Sequence, residues 1–247
     1  MLHCLLSAVP GVDLSKVDLS KIVLAIGGLG TAAYGVVDAT KSFWGGVSNR
    51  GFGDIKKIVS KLIPASSQRI DATSAVALRS ALDTLYANWI NGMALTDQKS
   101  IAKSLIKLNL RTDTAPDLAK ATGLDASILG NVATKIGPPV QLDANGNPVA
   151  LGPVESDVFG RFDLAVSALL DQGYQRADQR YRNSAKLAAV FVSIGLAVVG
   201  SYYVYGDTKH FGLAFVAGLL ATPLAPVAKD LSSAIQAGAK VAQVLKR

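Results

Sequence analysis

Residues 187–205 and 211–228 are two apolar runs without a single charged side chain, separated only by Gly206-Asp207-Thr208-Lys209-His210. As an α-helix the first run spans about 28 Å, close to the hydrocarbon thickness of a bilayer. The pattern predicts a hairpin of two transmembrane helices. A third apolar run, residues 22–37, is bounded by Lys21 and Asp38 and reaches only about 24 Å. It is read as a short span, with a loosely packed segment or a buried soluble helix as the competing readings. Its glycines suit a bilayer better than water, where glycine weakens a helix. Gly27, Thr31, Gly35 and Ala39 recur every four residues, a stripe of small side chains that lets another helix approach closely.

Between these runs the hydrophobic positions recur at helical spacing. Ile55, Ile58, Val59 and Leu62 precede a stop at Pro64. Val76, Leu78, Leu82, Leu85 and Trp89 predict an amphipathic helix over 73–92. Ile101, Leu105, Ile106 and Leu108 predict another over 98–109. Shorter helices follow at 115–122 and 125–135, with Gly123 as a C-cap between them. Residues 137–153 break the pattern with four prolines and Asn145-Gly146, predicting a small hairpin or protruding loop, or else a disordered linker. From 156 the pattern turns helical again through Phe159, Phe162, Val166, Leu169, Leu170, Gly173 and Ala177. It predicts a stalk helix continuous to 205, against a break near Gly173 or Asn183. Pro223 and Pro226 are expected to end the second hairpin helix at the membrane interface rather than form a hinge. Residues 229–247, with Leu231, Ile235, Val241 and Leu245, are expected to form a separate amphipathic helix.

The division is therefore a lead-in and first span (1–44), a helical domain (45–186), a membrane hairpin (187–228) and a C-terminal helix (229–247). The fold class is all-α: about three transmembrane helices and one small helical cytoplasmic domain.

Charge refines this picture. Only 17% of residues are charged, against roughly a quarter in soluble domains. The net charge of +7 comes partly from clusters beside the apolar runs. Arg176, Arg180, Arg182 and Lys186 lead into the hairpin, while Lys229, Lys240, Lys246 and Arg247 follow it. Such flanks report topology and anionic lipid rather than nucleic acid. Lys41, Arg50, Lys56 and Lys57 follow the first span, with only Lys16 and Lys21 before it. The N-terminus is then outside, and residues 45–186 and the C-terminus are cytoplasmic. Trp44, Tyr202, Tyr203 and Tyr205 are candidate interfacial anchors.

Candidate chemistry is sparse. A single cysteine, Cys4, excludes an internal disulfide and is either palmitoylated or inert. The two histidines, His3 and His210, lie at opposite ends of the chain and form no metal pair or triad; His210 is expected to be solvated. Gly27-Gly28-Leu29-Gly30 lacks the strand and lysine of a phosphate loop. Asp163, Asp171 and Asp178 among basic neighbours read as a salt-bridged helix face rather than acid–base groups. No catalytic residue, metal or cofactor is expected.

Phe162-Asp163, Tyr181-Arg182, Ile194-Gly195-Leu196, Asp207-Thr208 and residues 219–225 resemble elements of an uncharacterised group of bacterial membrane proteins. That group has an N-terminal span, a helical cytoplasmic region and a membrane hairpin. Its characteristic tryptophans and its Gly-Trp-Tyr-Lys-Arg run are missing here. The resemblance implies bacterial origin and inner-membrane placement, and no activity. The chain is expected to be a non-enzymatic accessory, scaffold or anchoring subunit of a larger membrane assembly. It would partner lipid and other membrane proteins or copies of itself. An oligomeric pore or channel is the alternative.

Overall fold

A computed structural model describes residues 19–63, 72–137, 141–144 and 146–245. The described residues form helices α1 (Leu19–Ala39), α2 (Lys41–Trp44), α3 (Ser48–Leu62), α4 (Ala72–Ile90), α5 (Leu95–Leu108), α6 (Ala115–Thr122), α7 (Ala126–Ile136), α8 (Pro153–Tyr205) and α9 (Phe211–Leu245). Among them there is no strand. Leu142 and Pro148 form one isolated antiparallel bridge around Gly146, whose φ is +79°. The bridge flanks the expected turn, of which Asn145 lies outside the described residues. Lys16, Cys4, His3, Pro64, Lys246 and Arg247 lie outside the described residues.

The chain divides into two compact units, residues 40–184 and a second formed by 1–39 with 185–247. Helix α8 contributes to both.

The middle unit is built as water-soluble proteins are. Ile55, Leu62, Leu85, Ile106, Leu118, Leu129, Phe162, Leu170 and Tyr174 are among its fully buried side chains. Burying each large apolar side chain stabilises by about 1.5–3 kcal/mol. Trp89 is anchored by its indole N–H, which donates to the Ser48 carbonyl at 3.0 Å. Gly51 brings α3 against α8, since a β-carbon there would lie 2.7 Å from the Ala177 carbonyl oxygen and 2.8 Å from Trp89 Cζ2. Two expected core positions face outward instead: Val76 is 64% and Leu108 75% exposed. The inner face of α5 is Gln98, Ala102 and Ile106, and Leu108 lies about 200° round the helix from Ile106. Helix α8 begins at Pro153, earlier than expected, because proline at N1 needs no amide partner. Glu155 reaches back to accept the Gly152 N–H at 2.7 Å and Lys135 Nζ at 2.7 Å. The Lys135 hydrogen bond, then the Gly152 amide, hold its carboxyl below the ordinary range.

The terminal unit is packed in the opposite sense. Its buried positions are Gly27, Gly30, Ala33 and Val37 on α1, Ala189 and Ser193 on α8, and Ala214, Gly218, Ala221, Thr222, Ala225 and Ala228 on α9. All but Val37 are small. Large apolar side chains point outward, including Phe191, Val199, Val204, Leu213, Phe215 and Val227. Three helices here (Ser20–Ala39, α8 and Phe211–Asp230) are long and apolar enough to cross a membrane.

Helix α9 differs from expectation. It runs unbroken past Pro223 and Pro226 to Leu245, so residues 229–245 continue it rather than forming a separate helix. Each proline removes one backbone donor, but α1 packs against the same stretch: a β-carbon at Gly30 would meet the Ala221 carbonyl, and one at Gly27 would meet the Ala228 side chain. The side chains of Leu231, Ile235, Val241 and Leu245 lie outside the described part.

Candidate functional site

Two arrangements stand out, one in each unit. In the terminal unit, the faces that meet are made of backbone and methyl groups. A β-carbon at Gly218 would fall 2.5 Å from Ile194 Cα, so the two arms of the hairpin touch at main-chain distance. The Ser193 hydroxyl donates to the Gly218 carbonyl oxygen there at 2.7 Å. The turn is fixed by Gly206 at φ +67° and by Asp207, which accepts the Lys209 N–H at 3.1 Å. His210 is not merely solvated. Its Nδ1 lies 3.1 Å from Asp207 Oδ1, and its ring stacks on Tyr205 with centroids 4.1 Å apart.

The expected packing stripe is only partly the one used. Gly27 is buried against α9, whereas Thr31, Gly35 and Ala39 are exposed, and a β-carbon at Gly35 would meet nothing. Steps of four residues advance about 40° beyond each full turn, so the stripe winds away from the contact. The face that packs is Gly27, Gly30, Ala33 and Val37, which stays on one side. Thr31 turns its hydroxyl back to the Gly27 carbonyl oxygen at 3.0 Å. Tyr202, Tyr203 and Tyr205 are all exposed, Tyr203 at 84%. The side chain of Trp44 lies outside the described part. Lys186 is exposed, and Arg182 pairs with Asp178 one turn earlier at 2.8 Å.

In the middle unit, α3 and α8 enclose a cavity of about 420 Å³. They cross closely at its floor, where a β-carbon on Gly173 would lie 2.8 Å from Ile58 Cγ1. Leu62, Ala121 and Leu169 complete the apolar base. The walls are charged. Asp54, Lys57 and Lys61 share one face of α3, and Arg176 and Arg180 share the facing side of α8. Arg180 Nε lies 3.2 Å from Asp54 Oδ2, and the Asp54 side chain is only 14% exposed. Along α8 the cavity adjoins another of about 280 Å³, where Gln179, Asn183 and Ser184 supply amide and hydroxyl groups. Sequence spacing had placed Arg180 at a membrane interface. That Arg176 and Arg180 meet Lys57 and Lys61 was not visible, because it depends on how α3 lies against α8. The available signal was the i, i+4 repetition of like charge in both segments.

The aspartates along α8 form bridges. Asp163 lies between Lys103 Nζ at 2.5 Å and Lys107 Nζ at 2.8 Å, and Asp171 meets Lys99 Nζ at 2.5 Å. The hydrogen bonds from Lys103 and then Lys107 hold the Asp163 carboxyl below its ordinary 3.8. These aspartates tie α5 to α8. Burial pushes the Tyr174 phenol well up. Among the described residues no group of three His, Cys, Asp or Glu side chains converges as a metal would require.

No family model, curated protein or solved structure matches this chain.

Proposed function

We propose that the chain is a three-span integral membrane protein acting as a non-enzymatic accessory, scaffold or anchoring subunit of a bacterial inner-membrane assembly. In this reading the N-terminus is outside, and residues 45–186 and the C-terminus are cytoplasmic. One observation carries it: the terminal unit buries glycine, alanine and serine and turns its Phe, Leu and Val side chains outward. In water such packing leaves most of the apolar area unburied. In lipid, where apolar surface needs no hiding, close backbone approach between small residues is what holds helices together. The exposed Gly28, Thr31 and Gly35 on α1 supply a further small-residue face for a partner helix or a second copy.

The test is sided labelling. In a Cys4→Ser background, Lys209→Cys is expected to react with an impermeant maleimide from outside, and Lys57→Cys only after permeabilisation. Release of the intact chain by alkaline carbonate would overturn insertion. A lone monomer by native mass spectrometry of gently extracted membranes would overturn the subunit reading. The same exposed α1 face also favours a pore formed by several copies. Ion flux through reconstituted liposomes, abolished by Gly35→Leu, would select the pore over the scaffold.

A further inference from the structure

We propose that the groove between α3 and α8 is a binding site for a phosphate-bearing anion. Four cationic side chains, Lys57, Lys61, Arg176 and Arg180, line one cavity whose only carboxylate among the described residues is Asp54. Like charges at i, i+4 destabilise a helix by a few tenths of a kcal/mol, and here two such pairs face each other. Lys57, Lys61 and Arg176 make no ion pair with the described residues; their charge serves neither α3 nor α8. The single carboxylate serves Arg180, which it fixes from 3.2 Å. Anchored in this way, the guanidinium presents a fork suited to two phosphate oxygens, with the lysines as point charges around it.

The size and shape of the cavity narrow the ligand. About 420 Å³ accommodates a pyrophosphate or a phosphodiester headgroup and is closed below by Leu62, Ala121 and Leu169. A nucleic acid needs a basic track extended along its backbone rather than one short groove. A metal cation is excluded by the surrounding positive charge. The adjoining Asn183 and Ser184 offer hydrogen bonds to hydroxyl groups on a headgroup. Arg176 and Arg180 precede the apolar run of α8 by only a few turns of helix. An anionic phospholipid and a soluble phosphate compound thus share the recognised chemistry.

The experiment uses the full chain in a neutral detergent. Pyrophosphate and, separately, phosphatidylglycerol are titrated while thermal unfolding is followed, with zwitterionic phosphatidylcholine, whose phosphodiester is offset by its choline cation, as the control. A saturable rise in Tm is expected. Stabilisation by both probes means that any accessible phosphate is recognised; phosphatidylglycerol alone makes the source lipid, and pyrophosphate alone makes it soluble. Lys57→Gln/Arg176→Gln should weaken binding about tenfold or more, while Lys56→Gln/Arg79→Gln, equal in charge change but outside the groove, should not. Asp54→Asn should strengthen binding severalfold, because removing the one negative charge lining the groove outweighs the loss of the contact that orients Arg180. If the first variant loses its helical circular dichroism, the Asp54→Asn gain and the charge-preserving Lys57→Arg/Arg176→Lys variant decide instead. Absence of any response, or equal loss in the groove and control variants, overturns the site. The pyrophosphate titration needs no membrane insertion, so its failure leaves the labelling result untouched.

Discussion

Gly30 and Gly35 differ by five positions and by everything around them. A side chain at Gly30 collides with the Ala221 carbonyl and with Ala225 Cβ at 3.2 Å, main-chain and β-carbon atoms with little room to move. At Gly35 it enters open space. Gly30→Leu should therefore separate α1 from α9 and cost about 1–3 kcal/mol or more, as overpacking does. Gly35→Leu should leave the unfolding of the solubilised chain unchanged. Equal effects in a detergent melt would place the helix contact on the Gly27/Thr31/Gly35/Ala39 stripe. The residue types were legible in the sequence, since a run of glycine, alanine and threonine at four-residue spacing predicts close helix approach. Their phase was not, because a four-residue step and a mixed three- and four-residue step diverge only after several turns. Asp163 was legible in the same way: its neighbours announced a salt-bridged face, and Lys103 and Lys107 supply the bridge from α5. Its carboxyl titrates below 3.8 when folded, so the stability it contributes is fully present above about pH 4 and is lost as the pH falls through the lower folded value. Asp163→Asn should reduce stability at pH 7 by up to about 1 kcal/mol. It should also flatten the loss of stability on acidification below about pH 4, measured by urea melts at stepped pH.

Elements were legible wherever a local signal marks their ends. Gly123 ends α6 in the left-handed region at φ +73°, with its own N–H on the Ala119 carbonyl, and Leu124 N–H also reaches Ala119 at 3.0 Å. Asp125 then caps α7 by accepting the Ser127 and Ile128 amides at 2.8 and 3.0 Å. Nothing lies within 4 Å of a β-carbon placed on Gly123, so Gly123→Ala isolates the backbone strain from any clash. It should destabilise the middle unit by about 1–2 kcal/mol with no change in the native circular dichroism spectrum. A stability equal to that of the parent would mean that this junction is not left-handed. Where ends depend on a distant partner, the sequence misleads. Pro223 and Pro226 are stops by their own chemistry, yet α9 continues through them with α1 packed alongside. The inner face of α5 likewise departs from hydropathy: Gln98, whose Nε2 donates to the Met93 carbonyl at 2.6 Å, is buried on it, while the more apolar Leu108 is 75% exposed.

At the scale of the whole molecule, one chain carries two kinds of interior, and each implies its own solvent. The middle unit buries leucine, isoleucine, phenylalanine and tyrosine, so its stability rests on removing apolar area from water. Urea weakens that term by solvating apolar and peptide groups. The terminal unit buries methyl groups and backbone, and its large side chains already face outward. If those side chains sit in a micelle, urea in the surrounding water acts on little of what holds the helices together. The division between units was readable in outline from charge and hydropathy. The inversion of side-chain size was not, because hydropathy counts alanine and leucine alike as apolar. The consequence is measurable with Trp89, buried in the middle unit and one of two tryptophans. In a Trp44→Phe variant held in dodecyl maltoside, urea should shift Trp89 emission to the red in one cooperative step. A substantial part of the helical circular dichroism, that of α1, the apolar part of α8 and α9, should survive the same urea concentration. If both signals fall together, the two interiors share one driving force, and the terminal helices are held by water exclusion like those of the middle unit.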